Sequence, residues 1–296
     1  MMPNGWWGCG TALVTPFARD GSVDERALRA LVDWQIAEGI HFLVPCGSTG
    51  EAATMTAAEH RRVVEIVVEQ ANKRVRVVAG AGSNDTRKAI DMSREMRAAG
   101  ADALLHVSPM YNKPPQRGII AHFRAIADAS DLPVILYNVP GRTGSNMEAK
   151  TTLALAEHPR IVAVKEASGS LPQIMDVIRE APEGFQVLSG DDALTLGVMA
   201  AGGTGLVSVI SNIAPRKTAQ LVEHGAVGSY THARRTNEEL MPLTSAAFIE
   251  SNPIPVKAAL AMMGMIENVV RLPLVPLDAK HEALLRAALV AVGVRL

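Results

Sequence analysis

The chain has 296 residues, 48% of them hydrophobic, and a formal net charge of −1. No basic run dominates, which argues against nucleic acid or an anionic membrane surface as a partner. No apolar run approaches the ~18 residues of a membrane span, and the opening MMPNGWWGCG lacks the charged and apolar regions of a secretory leader, so a cytoplasmic protein is expected. The two cysteines, Cys9 and Cys46, form no disulfide framework and read as buried thiols.

Eight short apolar runs alternate with longer amphipathic ones. In chain order they are TALVTPF, HFLVPC, VRVVAG, DALLHVSP, PVILYNVP, RIVAVKEA, FQVLSG and GLVSVIS. The first predicted helix, ERALRALVDWQIAEG, puts Leu28, Leu31, Val32, Gln35 and Ile36 on one face. The next opens with Thr56 as N-cap and Glu59 three residues on, a capping-box pattern. Asp24 and Asn84 are the expected caps of the helices before and after it. Strict β/α alternation argues for a parallel sheet with helices outside it. Eight units in about 220 residues predict an α/β fold, a closed (β/α)8 TIM barrel. An open doubly wound sheet is the alternative, but no G-x-G-x-x-G follows the first strand. Beyond about residue 213 the pattern is wholly helical, with three further helices and two proline-rich turns. The expected organisation is a catalytic barrel over 1–224 and a C-terminal helical extension over 225–296.

Lys165 is the residue that points most directly to chemistry. It ends the β-branched run IVAVK, where a charged ammonium is costly unless paired or chemically used. Burial favours the neutral amine, which is a nucleophile toward carbonyls. Taken alone, it also fits an ordinary lysine whose head reaches solvent. In a parallel barrel the reacting groups lie at the C-terminal strand ends. The motifs PCGSTGE, SPMYNKPP, LYNVPGRTG, SGDD and GLVSVISN all fall there, beside Lys165. Gly47, Ser48, Thr49 and Gly50 form a small-residue loop whose N–H groups and hydroxyls suit a carboxylate, or simply a tight turn. Tyr137, one strand before Lys165, can pass protons or fill the barrel. Arg142 is a candidate carboxylate clamp or a surface arginine. Asp191 and Asp192 read as helix caps. No His/Cys/Asp spacing suits a metal, and the scattered histidines read as surface residues. No phosphate-binding Walker loop is present.

Together, GSTGE, PMYNKPPQRG, YNVPGRTG, VAVKEASG, LSGDD and IESNPIPVKAAL resemble the dihydrodipicolinate synthase / N-acetylneuraminate lyase family of class I aldolases. The resemblance runs in order from about residue 8 to 293, and YNVPGRTG with ESNPIPVK is most similar to the dihydrodipicolinate synthase branch. It implies a cofactor-free lyase of lysine and diaminopimelate biosynthesis. Lys165 would form an imine with pyruvate, and the derived enamine would add to L-aspartate 4-semialdehyde to give 4-hydroxy-tetrahydrodipicolinate. The resemblance further implies that Tyr137 relays protons through Ser48 to Tyr111 of a neighbouring subunit, so that a homo-oligomer, dimer or tetramer, is required. It implies that Thr49 holds the pyruvate carboxylate and Arg142 that of the aldehyde substrate. Gly190 and Val207 match backbone-contact positions.

Two departures stand out. Many synthases of the branch carry threonine where Ser48 stands, and serine is common in the sugar-acid branches. Positions matching the lysine-feedback site are Ala57, Lys88 and Met110, with only His60 and Asn84 retained, which implies insensitivity to lysine. The alternatives are another pyruvate-dependent aldolase or dehydratase acting on a sugar acid or hydroxy-oxo acid, a non-catalytic oxo-acid-binding barrel, and a scaffolding barrel. The last two leave Lys165, Tyr137, Ser48 and Tyr111 unexplained.

Overall fold

A computed structural model describes residues 5–296. The reading of the opening segment as lacking a leader falls partly on residues 1–4, outside the described residues. Eight parallel strands close in sequence order into a barrel: β1 Gly8–Ala12, β2 Phe42–Val44, β3 Arg76–Gly80, β4 Ala103–Val107, β5 Val134–Asn138, β6 Ile161–Glu166, β7 Gln186–Ser189 and β8 Gly205–Ser208. The helices between and after them are α1 Glu25–Ala37, α2 Ala57–Ala71, α3 Thr86–Ala98, α4 Gln116–Ala129, the short α5 Pro140–Thr143, α6 Ala149–Ala156, α7 Leu171–Glu180, α8 Thr195–Ala200 and α9 Pro215–Ala226. Three more, α10 Tyr230–Ala247, α11 Ile254–Met262 and α12 Ala279–Ala291, follow the barrel. The expected TIM barrel with a C-terminal helical extension is the observed fold.

Strand alternation sorts the core into layers. Phe42, Val44, Val78, Leu105, Ile135, Tyr137, Ala163, Leu188 and Val207 pack inside the barrel. Leu136 and Val164, one residue out of phase, pack under α4 and α7 with Phe123 and Val177. The C-terminal helices share a core with Val14, Leu31, Val209, Ile210 and Ile213, at the β1 and β8 end of the barrel.

The first strand begins three residues earlier than TALVTPF predicts. Glycine weakens strand patterns in a sequence, yet here it is required. A Cβ on Gly10 would stand 2.1 Å from the Phe42 ring, which fills the barrel floor at that level. Asp24 and the Thr56–Glu59 capping box act as expected. The cap of α3 is Asp85, not Asn84: Asp85 accepts from the N–H groups of Arg87 and Lys88, while Asn84 donates to the Met110 carbonyl.

The histidines correct a second expectation, since His60, His106 and His122 are buried. His60 and His106 each join a strand to the helix covering it, bonded to the Gly80 carbonyl and the Ser93 hydroxyl, and His122 of α4 bonds the Thr86 hydroxyl of α3. Ser93 already donates to the Ala89 carbonyl, so His106 Nε2 carries the ring proton. Burial, with His122 nearby, pushes the His106 pKa down to about 3. The folded state therefore holds His106 neutral where an unfolded chain, with an ordinary value near 6.5, takes up a proton. A depressed folded pKa means stability present above pH 6.5 and lost as pH falls from there toward 3. Between pH 7 and pH 5 this one ring should cost about 2 kcal/mol. Urea-unfolding midpoints at the two pH values check it, and His106→Gln should flatten the difference.

Candidate functional site

Lys165 is the penultimate residue of β6 and points into the barrel, 5% exposed. The parallel register sets it beside Tyr137 of β5 on one side and Leu188 of β7 on the other. Its Nζ lies 4.1 Å from the centroid of the Tyr137 ring. Space for the side chain is made by Gly190, where a Cβ would come within 2.9 Å of Lys165 Cγ. Burial pulls the Lys165 pKa down to about 8, with Asp192 opposing and Arg142 assisting. Burial likewise pushes the Tyr137 phenol up to about 12, so it is a proton donor at neutral pH. Asn138 and Glu166, the next residue on each strand, point the other way. Asn138 Nδ2 bonds both carboxylate oxygens of Glu166, which also accepts from Ser168 N–H, stitching the β5 and β6 ends together from outside.

A cavity of about 870 Å3 opens over Lys165. Ser48, Thr49, Tyr137, Arg142 and Gly190 line it, so five further sequence-predicted residues share one mouth with the lysine. Thr49 is buried; Asn252 Nδ2 donates to its hydroxyl at 2.8 Å. Arg142, on α5, donates to the Asn252 carbonyl at 3.2 Å. The Gly47–Gly50 loop continues into Glu51, whose backbone is left-handed at φ 56°. The buried Glu51 carboxylate pairs with Lys257 Nζ at 2.6 Å and accepts from Arg271 N–H.

Two predicted residues stand elsewhere. Val207 packs in the interior core with Leu188, below the cavity, while Val209 lines it. Tyr111 is 89% exposed and not part of this chain's cavity wall. Its backbone is held at φ 71°, with its N–H bonded to the Thr143 carbonyl. Asp191 and Asp192 do not cap α8, whose cap position, Leu194, has no side-chain bond. Asp191 closes a turn onto Ala193 N–H. Asp192 is buried and accepts from Ser208 Oγ and Val209 N–H, tying the end of β8 to the loop after β7. Burial pushes its pKa up to about 6.

Residues 6–292 match the model of the dihydrodipicolinate synthetase family. The chain belongs to that family. It is an enzyme, a lyase of the family's barrel type. It is 54% identical to a 4-hydroxy-tetrahydrodipicolinate synthase of Koribacter versatilis, over 97% of this chain and 96% of that one. Among solved structures, it is similar to the chloride-inhibited dihydrodipicolinate synthase of Acinetobacter baumannii complexed with pyruvate, with TM-score 0.96, 42% identity and coverage of 98% and 99%. It is also similar to the synthase of Cyanidioschyzon merolae with lysine bound, with TM-score 0.95, 43% identity and coverage of 98% and 99%.

Membership gives the late ESNPIPVK segment a place. It carries Asn252 and Lys257, both missed as site neighbours in the sequence. For Lys257 a signal existed, the same one that marks Lys165: a lone charge in an apolar run. Asn252 offered none, because its partner Thr49 is 203 residues away. Among the described residues no helix is long and apolar enough to cross a membrane. Among those residues, too, no three His, Cys, Asp or Glu side chains gather as a metal site.

Proposed function

We propose that this chain condenses pyruvate with L-aspartate 4-semialdehyde to give 4-hydroxy-tetrahydrodipicolinate, without a cofactor, through an imine on Lys165. The observation that carries the reading is the buried Lys165 amine over the Tyr137 ring at the floor of the cavity. A pKa near 8 leaves a useful fraction of the amine neutral and able to attack the pyruvate ketone. Loss of water from the carbinolamine needs a proton donor, and the Tyr137 phenol stands beside the nitrogen. The imine withdraws electrons from the methyl carbon, which loses a proton to become the enamine nucleophile. Attack on the aldehyde forms the carbon–carbon bond. The substrate's own amine then displaces Lys165, closing the ring and freeing the enzyme.

In this reading the Thr49 hydroxyl and the loop N–H groups hold the pyruvate carboxylate, with the backbone at Gly190 close to the bound substrate. Ser48 carries protons from Tyr137 to Tyr111 of the partner subunit. The exposure of Tyr111 on a left-handed backbone supports a role in a second copy's site, since such strain persists where function requires it. The working form is then a dimer or a dimer of dimers.

Arg142 distinguishes this substrate from a sugar acid or another hydroxy-oxo acid. Its guanidinium lines the cavity on the side facing the C-terminal segment and suits a bidentate carboxylate. Arg142→Ala should reduce kcat/KM for the semialdehyde by about 100-fold, the weight of a charge-assisted pair, while pyruvate half-saturation stays within about threefold. Steady-state turnover on the two substrates checks this; unchanged semialdehyde use would refute the assignment.

Lysine insensitivity is part of the same proposal. Lys88 stands exposed where an anion is needed, and Met110 offers no aromatic ring. His60 is committed to the Gly80 carbonyl and Asn84 to the Met110 carbonyl. Turnover should be unchanged at 1 mM L-lysine, on the order of a feedback concentration; half-inhibition below that would overturn it.

A further inference from the structure

The Thr49 hydroxyl has one proton to give and, among the described residues, makes one protein hydrogen bond, the one it accepts from Asn252 Nδ2. A hydroxyl accepting from an amide N–H must turn its own O–H away from that amide. Thr49 is buried, and the remaining direction is the cavity, which Thr49 and Asn252 both line. We infer that Asn252 is a positioning residue that fixes the Thr49 hydroxyl as a donor toward the substrate carboxylate, an inference that rests on the function proposed above.

Asn252 is well placed for this. It lies in the turn before α11, itself buried, and its backbone carbonyl receives Arg142. Its side chain thus acts on the pyruvate half of the site and its main chain on the aldehyde half. A side-chain substitution removes the first action and leaves the second. Without the amide, the Thr49 O–H is free to rotate, and part of the time it offers a lone pair to the carboxylate instead of a proton. An ionised aspartate at 252 presents only acceptors, so the Thr49 proton would turn toward it and away from the substrate.

Borohydride trapping of the pyruvate imine, followed by intact mass as pyruvate is varied, reads the pyruvate half alone. Asn252→Ala should raise half-saturation by about tenfold and Asn252→Asp by about 100-fold, the span expected for weakening and reversing a hydrogen bond to a charged group. Turnover at saturating pyruvate, and half-saturation by semialdehyde, should stay within about threefold of the parent, which a general loosening of the site would not give. Thr49→Val should weaken pyruvate capture by itself, and adding Asn252→Ala to it should change nothing more, because the amide then has no hydroxyl to orient. Additive effects, or an unchanged half-saturation in Asn252→Asp, would overturn the inference while leaving the lyase reading intact. Absence of any adduct in the parent enzyme would remove both. If Asn252→Ala does not fold, the near-isosteric Asn252→Asp carries the test.

Discussion

Lys165→Ala should give no borohydride-trapped pyruvate adduct and should lower turnover by roughly 10^4- to 10^6-fold, the range for deleting a nucleophile. The environment of the amine sets the size of this effect. A lysine at its ordinary value of about 10.5 is neutral about once in 3,000 molecules at pH 7. Lys165, pulled down to about 8 chiefly by burial, is neutral in roughly one molecule in ten. The sign follows directly: imine formation should rise with pH and level off above about 8. The buried carboxylate of Asp192 opposes the depression, and it is the anion that can balance the positive charge of the iminium. Lys165→Arg keeps a cation but has no amine that can form the imine, so it should be as inactive as the alanine variant. A pyruvate-sized adduct on either variant would place the chemistry on another residue. Lys257 is the other buried lysine to examine in that event, but its ammonium is already bonded to Glu51 and to the Thr15 carbonyl.

The sequence carried the barrel because alternation of β-branched runs with amphipathic ones is local information. It also carried the pairing of Tyr137 with Lys165, since neighbouring strands in a barrel present like-phased residues to one mouth. Local information misled at β1, where Gly8 and Gly10 weaken the strand pattern and only the side chains facing them, His41 and Phe42 respectively, explain them. It misled again at Asp192, which resembles a helix cap in sequence but reaches across to Ser208 and Val209 instead. The same holds for the buried histidines. Whether an imidazole faces solvent or the seam between neighbouring elements depends on partners such as Ser93 and Thr86. No pattern in the chain announces them. What remained hidden was the tie between the two ends of the molecule. The loop after β2 and the segment around α11 meet through Asn252 with Thr49 and Lys257 with Glu51, contacts that span more than two hundred residues.

That second contact should dominate stability. Lys257 is fully buried, as is the Glu51 carboxylate, and the ammonium also donates to the Thr15 carbonyl. The Phe17 ring is in contact with both cations, its centroid 4.1 Å from Lys257 Nζ and 4.2 Å from the Arg271 guanidinium carbon. Arg271 in turn donates to the Gly21 carbonyl and to Glu59 of α2. The cluster therefore joins the loop after β1, the loop after β2, the start of α2 and the C-terminal turn. Lys257→Met keeps the side chain's length and apolar body but strands the Glu51 charge, with only the Arg271 N–H to meet it. Removing one partner of a buried pair costs about 3–5 kcal/mol. At this chain length that corresponds to a drop of roughly 5–8 °C in Tm. Glu51→Gln/Lys257→Met removes both charges and should recover a large part of the loss, because the penalty lies mostly in the unpaired charge and not in the missing attraction. The pair also has a functional reach, since Glu51 is the residue that turns the backbone at φ 56° directly after Gly47–Gly50. The single variant should therefore bind pyruvate less tightly even where it remains folded, and the double variant should regain stability more fully than affinity. Thermal melts with pyruvate titrations on the three proteins decide it. Equal stability of single and double variants would mean that the pair's attraction, and not the stranded charge, holds this end of the barrel together.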